Sequence, residues 1–389
     1  MRILFRGFLS TLAILFSTAI YGQQAALPAP RLINKLWEAA WIAPPKQNLT
    51  LYGVFHFRKT FTLASVPKSF VINVSADNRY RLFINGQPVC SGPARGDLKH
   101  WQFETIDIAG QLTVGKNVMA LQVWNFAETR AWGQLTHQTG MVVQGNTETE
   151  NIINTNESWK VIENTAYAPI ATIAHITGPG DQIFAQRYPW GWQEINYDDG
   201  SWANAIKAEE AMPASLNTGT RRMVQRTIPF MEEKLQRIPS IKRWEGLTKV
   251  DEGFIKGNGT LEIAPWKNVV MLFDQQVLTT AFPELIVSGG KGAKILLRYA
   301  EALVDTNTGE KGNQNPAEYL KKYPGRFELC HIKTADVFGN TEVVVDYPAL
   351  FLLAEDASCK HFIIENEMNI DNPMEYAKKS ANYLKINLT

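Results

Sequence analysis

The stretch from Ser75 to Trp132 limits most sharply what this chain can become. Arg79-Tyr-Arg-Leu-Phe-Ile84 runs into Asn85-Gly86 and then Pro88-Val-Cys90. Asn-Gly readily takes the positive φ angles of a two-residue hairpin turn. Upstream, Val54–Leu63 and Ser69–Ser75 alternate apolar and polar residues with period two, the pattern of half-buried strands. A further turn at Val114-Gly-Lys-Asn117 leads into Val118–Trp124, a nearly continuous apolar strand of the kind buried on both faces. Met141–Gln144 and Trp159–Ile162 add two more. Strands this short and this closely spaced, with no helical period between them, predict an antiparallel β-sandwich.

The flanks divide the chain further. Arg2 and Arg6 precede an apolar run from Phe8 to Phe16 and then small, neutral residues to Gly22, the three-part layout of a secretory signal peptide over 1–22. The run is too short to span a bilayer, so the expected product is exported, periplasmic or secreted, with no membrane segment after cleavage. The first sandwich is expected over 35–212. Pro213, Pro229 and Pro239, with little periodicity between them, mark an extended linker over 213–259. A second, incomplete sandwich is expected over 260–339, with strands at Leu261–Ile263, Asn268–Phe273, Glu284–Val287 and Lys294–Tyr299 and a hairpin turn at Ser288–Ala293. That Gly-rich turn lacks the Gly-Lys-Ser/Thr ending of a phosphate loop. Residues 340–389 form a divergent tail, with short strands at Val343–Val345 and Phe351–Leu353 and a helix capped by Asn372. The predicted class is therefore all-β: two antiparallel sandwiches of jelly-roll, galactose-binding-like type in tandem, the second incomplete, and a short partly helical tail.

Lys plus Arg number 39 against 38 Asp plus Glu, a net charge of +1, which removes the usual motive for binding nucleic acid. Cys90, Cys330 and Cys359 are too few and too widely spaced for a disulfide framework or a metal site, although one pair is compatible with them. The six histidines show no ligand spacing, and no cofactor or metal is expected.

Ala76-Asp-Asn-Arg-Tyr-Arg-Leu-Phe-Ile-Asn-Gly86, Gly92-Pro-Ala-Arg-Gly-Asp97 and His100-Trp101 resemble the N-terminal β-sandwich module of bacterial α-L-rhamnosidases, glycoside hydrolase family 78. The resemblance extends through Gly115–Val118, Val123–Phe126, Tyr197–Trp202, Phe273–Gln276, Arg298–Leu303 and Gly309–Asn313, covering roughly residues 37 to 315. It implies a carbohydrate-related protein. In the family, catalysis belongs to a following helical (α/α)₆ barrel, whose inverting carboxylates sit about 6.5–9.5 Å apart. Fewer than about 75 residues follow residue 315, so no barrel is expected in this chain and no catalytic residue is carried over.

The residues offer no catalytic centre of their own. Asp198-Asp199 stands in an ordinary turn string, Asp-Asp-Gly-Ser, and neighbouring strand residues face opposite ways. Glu301 has no visible partner, and no Gly-x-Ser-x-Gly elbow occurs. A sugar site needs a flat aromatic face with fork-like donors and carboxylates around it. Arg95, Asp97, His100, Trp101, Trp124 and Trp132 supply those types in or beside loops. The competing reading has Arg95 and Asp97 pair to pin their loop while Trp101 and Trp124 fill the core. Two functions remain open. One is a non-hydrolytic, truncated or accessory rhamnosidase product that at most binds rhamnose-containing plant glycans. The other is an active α-L-rhamnosidase completed by a catalytic-domain partner chain or by an unrecognised site.

Overall fold

The computed structural model describes residues 26–170, 178–300, 315–333, 346–365 and 372–387. The leader read over 1–22, Glu301, the 309–313 motif and the strand expected at Val343–Val345 lie outside them. The residues to Leu235 form one unit, and those from Gln236 onward a second.

In the first unit the strands are β1 Ala40–Ala43, β2 Gly53–Leu63, β3 Val71–Asp77, β4 Arg79–Ile84, β5 Gln87–Gly92, β6 Trp101–Asp107, β7 Gly115–Asn125 and β8 Gly140–Gly145. They continue with β9 Lys160–Glu163, β10 Tyr167–Ile170, β11 Gly180–Ile183, β12 Ala203–Asn204, β13 Ile206–Glu210, β14 Met212–Pro213 and β15 Arg222–Gln225. The described residues build a seven-stranded sheet, β13-β1-β8-β3-β6-β15-β14, facing a six-stranded one, β12-β9-β2-β7-β4-β5. The class is all-β, as the strand pattern predicts. β2 and β7 pair over their full length, from Gly53 opposite Asn125 to Leu63 opposite Gly115. Phe55, Phe57, Leu82, Ile84, Leu121 and Val123 from one sheet meet Ile72, Val74, Met141 and Val143 from the other in the core. The period-two alternation thus marks the inner face. Asn85 and Gly86 turn the β4–β5 hairpin at φ 51° and 82°, the expected geometry. A Cβ on Gly86 would also lie 2.6 Å from the Glu194 carboxylate.

Both outer faces of the sandwich are covered as well. Against the six-stranded sheet lies the aromatic stretch 188–202: Trp192 stacks on His56 with ring centroids 3.8 Å apart. Arg58 binds Asp199 at 2.8 Å and the carbonyls of Trp192 and Glu194. Asp198 accepts the Gly200 amide at 2.9 Å. Asp198 and Asp199 are therefore turn and ion-pair residues. On the seven-stranded sheet, Trp37, Trp41, Trp101, Phe103 and Met223 form a second cluster.

That cluster corrects the linker expected over 213–259. Met212–Pro213 and Arg222–Gln225 are strands, and Met223–Gln225 run parallel to Trp101–Phe103. Two to four residues are too few to display a period, and Pro213 stands in an edge strand, which tolerates its missing N–H. Arg221 is fully buried, its guanidinium 3.6 Å over the Trp41 ring and paired with Glu209 and, at 3.5 Å, Asp77.

In the second unit, β16 Ser240–Glu245, also inside the expected linker, pairs antiparallel with β17 Val270–Asp274. Leu261–Ile263, Glu284–Val287 and Lys294–Tyr299 are not strands, and Ser288–Ala293 therefore closes no hairpin. An alternating pattern becomes a strand only where an edge accepts its backbone groups. β18 Leu329–Lys333 and β19 His361–Glu365 pair in parallel, Cys330 opposite Phe362. Tyr347–Asp356 is a helix, which corrects the strand expected at Phe351–Leu353: Asp346 caps it by accepting the Ala349 amide, and Pro348 fits its first turn. Asn372 caps the helix Pro373–Asn387 as expected, accepting the Glu375 amide at 3.2 Å. Cys330 and Cys359 bring their Sγ atoms to 3.0 Å. No helix among the described residues is long and apolar enough to cross a membrane.

Candidate functional site at the loop end of the sandwich

One end of the first sandwich is organised by Asp77 and Asn78, at the junction of β3 and β4. Buried Asp77 accepts the Thr136 hydroxyl at 2.7 Å and the amides of His137 and Gln138 at 2.7 and 2.9 Å. Burial raises its carboxyl above the ordinary value despite Arg221 and those bonds. Asn78 accepts the Phe126 amide at 2.6 Å and donates to the Leu135 carbonyl at 3.3 Å. Its own carbonyl accepts Gln134 at 3.4 Å. The loop from Phe126 to Gln138 is thus tied at both ends to two adjacent residues.

Beside this junction a cleft of about 210 Å³ is lined by Arg79, Arg95, Phe126, Ala131, Gln134 and Pro179. Arg79 donates to the Pro93 carbonyl at 2.8 Å and so holds the second loop, Pro93–His100, against the cleft. Burial, above all, lowers the Arg79 guanidinium from its ordinary value; buried Glu104 opposes this, and the like charge of Arg95 adds to it. Arg95 is exposed and reaches the Trp132 carbonyl at 3.4 Å. Trp132 itself is 70% exposed.

Of the six candidates, the structure brings Arg95 and Trp132 together here. Asp97 is engaged by His100, Nδ1 at 3.1 Å, and by the Lys99 and His100 amides, so the expected Arg95–Asp97 pairing gives way to a contact within the turn. Asp97 and His100 do not line the cleft. Trp101 lies in the outer core, edge-on to Trp41 with centroids 6.3 Å apart, and its buried face cannot receive a sugar. Trp124, half-buried in β7, stands between Val54 and Arg79 in the six-stranded sheet. Arg79, Phe126 and Gln134 are the residues that sequence reasoning missed. Arg79 reads as one more polar position of an alternating strand, and only the junction of Asp77 and Asn78 turns it toward the cleft.

A β-sandwich with a polar cleft among its end loops defines the class. Residues 66–227 match the family model of the α-L-rhamnosidase N-terminal domain. Residues 66–227 thus form an α-L-rhamnosidase N-terminal-type module. No curated protein matches it. Among solved structures it is similar to a family 78 rhamnosidase of Bacillus sp. GL1, with 28% identity over 54% of this chain and a TM-score of 0.49. It is also similar to an α-L-rhamnosidase from Dictyoglumus thermophilum, with 22% identity over 49% of the chain and a TM-score of 0.37. A Pleurotus ostreatus lectin gives 21% identity over 49% of this chain and 45% of its own, with a TM-score of 0.31. The chain spans 22% of the length of each of the two rhamnosidases.

Proposed function

We propose that this protein is an exported, non-hydrolytic glycan-binding protein, and that the loop-end cleft binds rhamnose-containing plant glycans. The observation that carries this reading is the convergence of Arg79, Arg95, Phe126 and Gln134 on one cleft, with the exposed residue Trp132 held to Arg95 through its carbonyl. Guanidinium and amide groups donate to hydroxyls, and aromatic faces meet the C–H surface of a sugar ring. The match over 66–227 supports a carbohydrate context.

Calorimetric titration of the purified chain with rhamnose and rhamnosylated oligosaccharides tests the binding. Heat that saturates supports it, and silence at millimolar ligand removes it. Incubation with an aryl α-L-rhamnoside tests the second half. Release of the aryl alcohol above a heat-killed control would contradict a non-hydrolytic role and favour an active rhamnosidase.

A further inference from the structure

The charge around the cleft is one-sided. Two of its lining residues are arginines, and none of the described lining residues is acidic. The nearby carboxylate of Glu104 is already occupied: it accepts the Tyr80 hydroxyl at 2.6 Å, the Ala94 amide at 2.8 Å and Arg226 at 3.4 Å. Asp97, on the same loop as Arg95, is bound to His100 and two backbone amides. Among the described residues, each of the two lining guanidiniums gives a bond to one carbonyl, Pro93 for Arg79 and Trp132 for Arg95. A guanidinium carries five N–H donors in a fork that matches a carboxylate. Neutral sugar hydroxyls do not require charged donors, whereas two guanidiniums lining one cleft offer an arriving anion two charge-assisted partners.

We propose that the ligand of this cleft carries a carboxylate on the sugar ring, a uronic acid residue, whose carboxylate lies between Arg79 and Arg95 while Phe126 meets the ring's apolar face. The proposal rests on the glycan-binding reading and names the chemical class of the glycan. A cleft of about 210 Å³ falls below the ~300–1,000 Å³ of ordinary small-molecule pockets, so it suits one residue of a longer saccharide. The chain's near-neutral net charge of +1 gives no general affinity for polyanions.

The test is a titration of the full chain at low salt with four probes: digalacturonate, its neutral methyl ester, a neutral rhamnose-bearing oligosaccharide and sodium acetate. The acid should bind at least about tenfold more tightly than the ester, as expected for one charge-assisted pairing. Added salt should shrink the difference. Because Arg95 is exposed, Arg95→Gln should leave the fold intact and erase most of the preference for the acid. If the neutral oligosaccharide binds while acid and ester bind alike, or neither binds, the acidic ligand is excluded and the glycan-binding reading stands. If no saccharide binds, both fall. Acetate displacing digalacturonate at equal concentration would mark a bare anion site and also overturn the proposal.

Discussion

The two units carry similar strand-like patterns and treat them oppositely. In the first, Phe57, Leu82, Leu121 and Val143 are almost wholly removed from water between two paired sheets. In the second, Ile286 is 96% exposed and Leu296 69% exposed, within a stretch without strand or helix from 275 to 300. Apolar alternation is a statement about one face of a strand, and it yields stability only when a second layer covers that face. The first unit supplies that layer three times over, once between its sheets and once on each outer face. The described residues of the second unit bury their apolar groups in smaller clusters, around Leu320, Ala354 and Ala357 and around Ile332, Tyr347 and Phe351.

The largest expected contrast comes from the buried polar groups that the first unit can hold because it is so well covered. Arg221→Ala leaves Asp77 buried without its cation and removes the cap over Trp41. It should destabilise the first unit by about 3–5 kcal/mol, read as a lowered urea midpoint by tryptophan fluorescence. An unchanged midpoint would mean that this network is dispensable.

A pH titration sharpens the same contrast. Burial lowers His56 from 6.5 to about 3. The unfolded chain therefore binds the extra proton between those values. Its contribution is fully present above pH 6.5 and is lost as pH falls toward 3, by on the order of 4 kcal/mol. Buried Asp77 and Glu104, both raised, act in the opposite sense, because the native state then holds the additional proton. The clean measurement is therefore the difference between the natural protein and His56→Gln from pH 7 to 4. The variant should lose less stability on acidification, and parallel curves would refute the burial of a neutral imidazole.

Within the second unit, Cys330 and Cys359, 3.0 Å apart at Sγ, should close on treatment with oxidised glutathione, which is reduced to two thiols as one disulfide forms. Alkylation under denaturing conditions should then count one thiol, Cys90, in place of three. The cross-link should stabilise this unit by about 2–4 kcal/mol. Retention of all three thiols would contradict the pairing. The smallest effect belongs to Trp266, fully exposed, whose replacement by alanine should shift stability by no more than about 0.5 kcal/mol.

These differences also explain what could be read in advance. Asn85-Gly86 and the alternation of Val54–Leu63 announce themselves because a hairpin turn and a half-buried face are local properties. Arg222–Gln225 does not, since its four residues become a strand only by lying beside Trp101–Phe103, more than a hundred positions away in sequence. Trp101 was legible as an aromatic beside a loop, but which face of its strand would be covered depends on Trp41 and Met223 arriving from both flanks. Arg95 and Trp132 could be nominated by residue type. Arg79 and Gln134 could not, because their place at the cleft is set by hydrogen bonds to Pro93 and Asn78.

The most direct test of a glycan site at the loop end is an NMR titration that follows the tryptophan indole N–H signals of the full chain as a rhamnose-bearing or uronic acid oligosaccharide is added. The exposed Trp132 should shift and saturate, while buried Trp41, Trp101 and Trp192 and the exposed Trp266 of the second unit stay fixed. A titration that leaves Trp132 unmoved, or that moves Trp266 instead, would contradict the assignment.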